Sequence, residues 1–238
     1  MITLAFDSTA KAASVAVHNG ERLLGSFNID NGLTHSELLL PMAEDLLRNL
    51  GITFSEIELL ACTTGPGSFT GVRIGTALVK GIAFAKNTPC VSVSTLEALA
   101  ENLAPLSAII VPVMDARRGQ FYTAVFDATG ADIKRLTDDL ALSAEELAEL
   151  LKGCAGKDIY LVGDGYAIAH KKLTSLGIRL CETPELLINE NAASAAKVAL
   201  RKYALGEYTT DTALMPTYLR MPQAERERLE REKTKDGE

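Results

Sequence analysis

Apolar and polar residues alternate along the first thirty positions, as they do in half-buried β-strands. The stretch 2–6 alternates apolar with polar or small residues, and the apolar runs 14–17 and 23–29 flank Asn19-Gly20. Asn-Gly between two apolar runs is a strong hairpin signal, because both turn positions need a positive φ. The chain is therefore predicted to begin with three antiparallel strands.

Helical spacing takes over at Thr34. Apolar residues recur three and four positions apart as far as Leu50, and Thr34 with Glu37 forms a capping box. Apolar runs of strand length then alternate with helical spacing, which predicts an α/β architecture. Further strands are expected near 57–64, 90–94, 109–114, 120–126, 159–162 and 178–181, and helices near 34–50, 71–85, 94–102, 143–151, 166–176 and 192–205.

Length and composition divide this pattern in two. The chain has 238 residues, which lies between one and two domains of about 150 residues each. Its composition shifts near Pro105, so two subdomains are expected, 1–106 and 107–220, with the helix 192–205 packing back on the first. The segment 221–238 is nearly all charged and is expected to be disordered.

Charge and cysteine content disfavour several function classes. The net charge is −7, whereas a protein that grips nucleic acid by itself needs a basic face, so a stand-alone RNA binder is disfavoured. The four cysteines form no C-x-x-C pair, and no apolar run of membrane length or signal peptide is found. A cytoplasmic protein with no membrane partner is expected.

The glycine-rich segment between a predicted strand and helix is the most informative feature. Gly65, Gly67 and Gly71 have the spacing G-x-G-x-x-x-G, which fits neither the dinucleotide fingerprint nor the P-loop. Such a loop either cradles an anion or forms a tight turn that packs a helix on a sheet. Asp7 and Ser8 follow the first strand and could orient a phosphate-bound metal or water, or cap a turn.

Close packing is the second interpretation of the glycines. Gly71 and Gly75 lie one helical turn apart, so a neighbouring backbone can approach that face. The neighbour is either the protein's own sheet or a helix of another subunit, and the residue types leave both open.

Histidines offer little further chemistry. His35 could act with Glu37 as an acid–base pair, or it could be a solvated residue at a helix cap. His18 is expected in the hairpin turn and His170 on a surface helix, both facing solvent.

Five motifs in this order resemble one known family over residues 1–220. They are Asp7-Ser8-Thr9, His35-Ser36-Glu37 with Leu40-Pro41, the string 65–75 that reads GPGSFTGVRIG, the string 115–119 that reads DARRG with Tyr122, and the string 216–220 that reads PTYLR. Together they are similar to the TsaB, or YeaZ, family. Its members are dimerisation subunits of the bacterial machinery that makes N6-threonylcarbamoyladenosine in tRNA.

The resemblance implies an α/β fold of the actin-like, sugar-kinase-like type, with two related subdomains and mixed sheets. The family's catalytic relative, TsaD, transfers the threonylcarbamoyl group to tRNA and holds a metal through two histidines four residues apart. The equivalent positions are Thr95 and Leu99, and neither side chain can replace imidazole as a ligand. The resemblance therefore implies a subunit with no catalytic residues, metal or other cofactor.

The implied function is that of a scaffold that activates TsaD by heterodimerisation, for tRNAs that read codons beginning with A. TsaE is expected as a partner through the complex, tRNA only indirectly, and a homodimer when the chain is alone. The expected partner interface consists of His35, Leu38, Leu39, Met42, Leu46, Gly71, Gly75, Leu78, Val79 and Ile82.

The alternative is a stand-alone phosphotransferase or a metallopeptidase-like hydrolase built on Asp7 and the loop 65–75. Its cofactor-binding candidates are Asp7, Ser8, Gly65 and Gly67.

Overall fold

Two β-sheets organise the chain, and the computed structural model describes residues 1–130 and 132–220. The expectation of disorder for 221–238 concerns residues outside the described ones. The strands are β1 (Ile2–Asp7), β2 (Ala13–Asn19), β3 (Arg22–Ile29), β4 (Leu59–Gly65), β5 (Cys90–Ser94), β6 (Ile109–Asp115), β7 (Gln120–Thr123), β8 (Phe126–Asp127), β9 (Lys134–Arg135), β10 (Leu140–Ser143) and β11 (Ile159–Val162). The helices are α1 (His35–Leu50), α2 (Phe69–Phe84), α3 (Thr95–Glu101), α4 (Ala144–Leu151), α5 (Tyr166–Ser175) and α6 (Ala192–Ala204).

The first sheet has the strand order β3-β2-β1-β4-β5. Strands β1, β2 and β3 are antiparallel, which confirms the predicted opening, while β4 and β5 run parallel to β1. The parallel strands are joined by helices, as parallel connections require. Glu37 accepts a hydrogen bond from the backbone nitrogen of Thr34 at 3.0 Å and so caps α1.

The second sheet repeats this order with interrupted strands. Both β7 and β8 pair with the same edge of β6, and β11 pairs parallel on its other edge. The predicted strand 120–126 is interrupted where Val125 bonds instead to Leu136 and to the Thr137 hydroxyl. The predicted strand 178–181 is reduced to one bridge between Tyr160 and Cys181. The duplicated topology confirms the actin-like, sugar-kinase-like fold class.

The last helix of each half covers the sheet of the other half. α3 packs its leucines against the apolar face of β6 and β8, whereas α6 lies on the first sheet, opposite α1 and α2. α6 approaches that sheet closely because alanines meet there from both sides, for example Ala195 and Ala196 against Ala5 and Ala61. Within the described residues no helix is long and apolar enough to cross a membrane.

Two histidines lie deeper than expected. His18 belongs to β2 and is fully buried, because its side chain points to the sheet face that α6 covers. His170 is half-buried, since its ring lies 5.4 Å from the ring of Tyr166 and its Nε2 is 3.5 Å from a Glu182 carboxylate oxygen. The prediction is therefore wrong for His18, whereas His170 lies on a surface helix as predicted but is only partly exposed.

Candidate functional site

The glycine-rich loop is packed against the protein's own backbone. A Cβ at Gly67 would lie 2.5 Å from the carbonyl oxygen of Thr9, and a Cβ at Gly65 would overlap that of Thr217. The Ser68 backbone nitrogen donates to the Thr9 carbonyl at 2.7 Å. Gly65 and Gly67 therefore form a tight turn that packs against the chain's own backbone, while Gly67 and the residues that follow it, Ser68 to Thr70, line the cleft described below.

Gly71 and Gly75 lie against the turn that follows β1. A Cβ at Gly71 would overlap the carbonyl oxygen of Ser8, and one at Gly75 would lie 2.5 Å from its hydroxyl. The Ser8 hydroxyl donates to the Gly71 carbonyl at 2.9 Å. These two glycines therefore allow internal packing, and the assignment of both to a seam with another subunit is wrong.

Asp7 caps the same turn. One carboxylate oxygen accepts hydrogen bonds from the backbone nitrogen of Thr9 at 2.9 Å and from its hydroxyl at 2.7 Å. Burial raises the pKa of the Asp7 carboxyl, against the lowering effect of these bonds. The cofactor candidates Asp7 and Ser8 are thus both engaged inside the fold.

A cleft of about 390 Å³ lies between the two subdomains. Its lining combines both charge signs with two aromatic rings, and includes Lys11, Phe69, Asp115, Arg117, Tyr122 and Asp164. The backbone nitrogen of Asp115 donates to Asp164 at 3.1 Å, and burial raises the pKa of that carboxyl. The described residues contain no group of three His, Cys, Asp or Glu side chains placed to hold a metal.

Glu190 is a buried acid that no sequence pattern predicts. It precedes α6, is 3% exposed, and its Oε1 has no hydrogen-bond partner among the described residues. Burial, followed by repulsion from Asp7 and Asp164, raises the pKa of Glu190 well above its usual range. No sequence signal could have found it, because the three acids come together only through the fold.

Thr95 and Leu99 lie one turn apart on α3, and both are fully buried. Leu99 packs in the core beside Gly163, and the Thr95 hydroxyl has no hydrogen-bond partner among the described residues. A leucine offers no donor atom and a single hydroxyl is a weak ligand, so these positions do not fit the metal that the resemblance implies for the catalytic relative.

The predicted interface side chains divide by depth. Leu39, Met42, Leu46 and Val79 belong to the protein's own core, so their assignment to a partner surface is wrong. Their helical stripe faces the first sheet, and burial there produced the pattern. Leu38, Leu78 and Ile82 are half-buried at the border of that core. His35 is also half-buried, with its Nε2 2.9 Å from the Ala10 carbonyl oxygen.

The outer face of α2 is apolar, although its residues are not among those predicted for the partner interface. Ala77, Gly81 and Phe84 are exposed, and Phe84 is 76% exposed. The helix has 16 residues and two charged side chains, Arg73 and Lys80. The signal that could have revealed this face was the absence of any acidic residue between 69 and 84.

Both charges of α2 are directed toward the C-terminal segment. Arg73 donates to the Tyr218 hydroxyl at 2.8 Å and its guanidinium lies 3.8 Å from the centre of the Phe69 ring. Lys80 donates to the carbonyls of Thr212 and Leu214 at 3.3 and 3.2 Å. We call Ala77, Gly81 and Phe84, with the exposed Leu40 and Pro41 of α1, the outer face.

Comparison with known proteins places these features in a family. The family model for TsaD, described as tRNA N6-adenosine threonylcarbamoyltransferase, matches residues 32–226. The chain is 27% identical to the tRNA threonylcarbamoyladenosine biosynthesis protein TsaB of Bacillus subtilis, over 98% of this chain and all of that protein. It is 29% identical to TsaB of Escherichia coli, over 92% of this chain and 95% of that protein.

A solved structure agrees with these matches. YeaZ from Pseudomonas aeruginosa superimposes with a TM-score of 0.76 at 27% identity, over 92% of this chain and 99% of that one. These findings confirm the resemblance that the five motifs suggested. The chain belongs to the TsaD family, and its full-length relatives within that family are the TsaB, or YeaZ, proteins.

Proposed function

We propose that this chain is a non-catalytic subunit of tRNA threonylcarbamoyladenosine biosynthesis that activates the catalytic subunit TsaD by binding it. The names of its full-length relatives support a role in this modification. The modified base is the adenosine next to the anticodon in tRNAs that read codons beginning with A. The chain contacts TsaE through the complex and tRNA only indirectly, and the complex acts in the cytoplasm.

The observation that carries this proposal is the apolar outer face of α2. A surface helix of a soluble protein normally turns charged residues outward, whereas this one exposes alanine, glycine and phenylalanine. Small residues four apart, Ala77 and Gly81, let another helix approach closely. TsaD belongs to the same family, so its corresponding helix pair is the proposed occupant, and a second copy of this chain replaces it when TsaD is absent.

The buried residues Asp7, Thr95 and Leu99 support the proposal that this chain does not itself catalyse the reaction. Asp7 is fully buried, and Thr95 and Leu99 offer no adequate pair of metal ligands. A phosphotransferase or hydrolase built on Asp7 would need that carboxylate to be accessible to a substrate. The net charge of −7 also favours service to tRNA through a partner.

The test uses two glycines in matched surroundings. A Cβ meets nothing within 4 Å at either Gly81 or Gly153, and neither has a positive φ. Gly81→Arg should abolish co-purification with TsaD and tRNA modification in a reconstituted system, while Gly153→Arg should leave both unchanged. Gly75→Arg is unsuitable, because it would disrupt the packing on Ser8. Normal TsaD binding by Gly81→Arg, or ATP turnover by the isolated chain, would contradict the proposal.

A further inference from the structure

The C-terminal segment 209–220, here called the strap, runs back over the first subdomain after α6. Thr209 exchanges two backbone hydrogen bonds with Cys90, at 2.8 and 2.9 Å, and so extends the edge of the first sheet at β5. Further along, the backbone nitrogen of Thr217 donates to the Thr64 carbonyl at 2.7 Å. The strap is therefore held at both ends of its path across β4 and β5.

The motif 216–220 then contacts the first turns of α2. The ring centres of Tyr218 and Phe69 are 4.8 Å apart, and the Tyr218 hydroxyl accepts the hydrogen bond from Arg73. These contacts span about the first turn of α2, next to the outer face. A stack of two rings and a guanidinium has a defined geometry, so a shift of this turn displaces Tyr218.

Two residues later the strap reaches the other subdomain. Arg220 donates to the Ala116 carbonyl at 3.1 Å, and its guanidinium lies 5.8 Å from the centre of the Tyr122 ring. Ala116 belongs to the turn 115–119, here called the cleft turn, which lines the cleft. Arg117 and Arg118 in this turn have φ of 62° and 54°, a region that disfavours side chains with a Cβ, so the hydrogen bond from Arg220 adds support to a strained turn.

We propose that the strap is a mechanical link between the N-terminal turn of α2 and the cleft turn. Tyr218 and Arg220 are two residues apart, and each contacts a different subdomain. Loss of the contacts of one residue therefore weakens the contacts of the other. If TsaD docks on the outer face, a consequence that rests on the proposed function, docking also changes the width of the cleft.

A strap that only stabilises the first subdomain would behave differently. Tyr218 touches Phe69 and Arg73 of the first subdomain, so its removal would then leave the cleft turn unchanged. Two amides report on the cleft turn, because Ala116 donates to the Gln120 carbonyl at 3.0 Å and Gln120 donates to the Arg117 carbonyl at 3.2 Å.

The experiment is amide hydrogen exchange on the isolated full-length chain, without TsaD. Tyr218→Ala and Arg220→Ala should each speed exchange at Ala116 and Gln120 by about fivefold, the effect of losing one hydrogen bond's worth of support. Exchange in α4 should not change. Met215→Ala is the control, since Met215 lies in the strap and is 62% exposed.

Tyr218→Phe is the control for unfolding caused by the larger change Tyr218→Ala. It keeps the ring stack and removes the hydrogen bond to Arg73, so it should speed exchange at the same two amides by a smaller factor. Acceleration confined to Arg220→Ala, with Tyr218→Ala and Tyr218→Phe both like the unsubstituted chain, would overturn the link. So would an equal acceleration in α4 for Tyr218→Phe. None of these outcomes depends on whether TsaD binds the outer face.

Discussion

The helix pair α1 and α2 occupies the same place on the first sheet as α4 and α5 occupy on the second. The inner faces of the two pairs are alike, because both insert leucine and alanine into a core. The outer faces differ. The exposed positions of α4 are glutamates, Glu145, Glu146 and Glu149, whereas α2 exposes Ala77, Gly81 and Phe84. The exposed side of α5 is mixed, with Ala167, Ile168 and Lys171.

This difference separates what folding demands from what association demands. A duplicated fold requires the same inner stripe in both halves, since each sheet must be covered. It places no such demand on the outer stripe, where charge is the ordinary solution. The apolar outer face of α2 departs from this rule and therefore indicates a contact with another molecule.

The largest expected effect comes from the inner faces. Leu39→Ala in α1 and Leu147→Ala in α4 remove fully buried side chains, and each should lower the free energy of unfolding by about 2–5 kcal/mol. Urea denaturation of both variants measures this. The comparison predicts similar losses. A loss under 1 kcal/mol for Leu39→Ala alone would mean that the inner face of α1 is not core and that the two pairs are not equivalent.

A second, intermediate effect distinguishes the two faces of α2 itself. Gly75→Ala should cost about 1–3 kcal/mol, because its methyl group meets the Ser8 hydroxyl at 2.5 Å. Gly81→Ala should stabilise the chain by about 0.5–1 kcal/mol, because a methyl group there meets open space and alanine favours the helix. Thermal and urea unfolding of the two variants check the signs. A cost at Gly81 as large as that at Gly75 would mean that the outer face is covered within the chain.

The sequence predicted most elements because their spacing is imposed locally. The cap at Thr34 follows from its capping box with Glu37, and the loop before α2 follows from the positive φ of Gly65 and Gly67. The hairpin was predicted, but its turn is Gly20-Glu21, one residue later than expected, and only Gly20 has a positive φ. The fold class followed from the five motifs, and the duplicated sheet order agrees with it.

Which face of a helix meets solvent could not be predicted in the same way. An apolar stripe that binds a partner and one that binds the protein's own sheet have the same spacing, so Leu39 and Val79 were assigned to the wrong side. Gly71 and Gly75 were assigned to the partner interface for a related reason, because close approach by Ser8 and close approach by another subunit both require a missing Cβ. Glu190 had no local signal because its neighbours Asp7 and Asp164 are far from it in sequence.

The smallest expected effect depends on pH and concerns the sheet faces that α3 and α6 cover. α6 covers His18 on the first sheet, whereas α3 covers an apolar cluster on the second. Burial, and then the charge of Lys197, lower the pKa of His18 below its usual 6.5. Below pH 6.5 the unfolded chain binds a proton at His18 that the folded chain does not bind. The contribution of neutral, buried His18 to stability is therefore complete above pH 6.5 and declines as the pH falls.

His18→Leu removes this titration. The free energy of unfolding of the unsubstituted chain, minus that of His18→Leu, should therefore decrease between pH 7 and pH 5. Asp7 and Glu190 act in the opposite direction, because a raised carboxyl pKa stabilises the folded chain as the pH falls, but both variants share them. Urea denaturation at pH 7, 6 and 5 measures the difference. A difference independent of pH would show that His18 titrates alike in the folded and unfolded chains, and that the two covered faces do not differ in this respect.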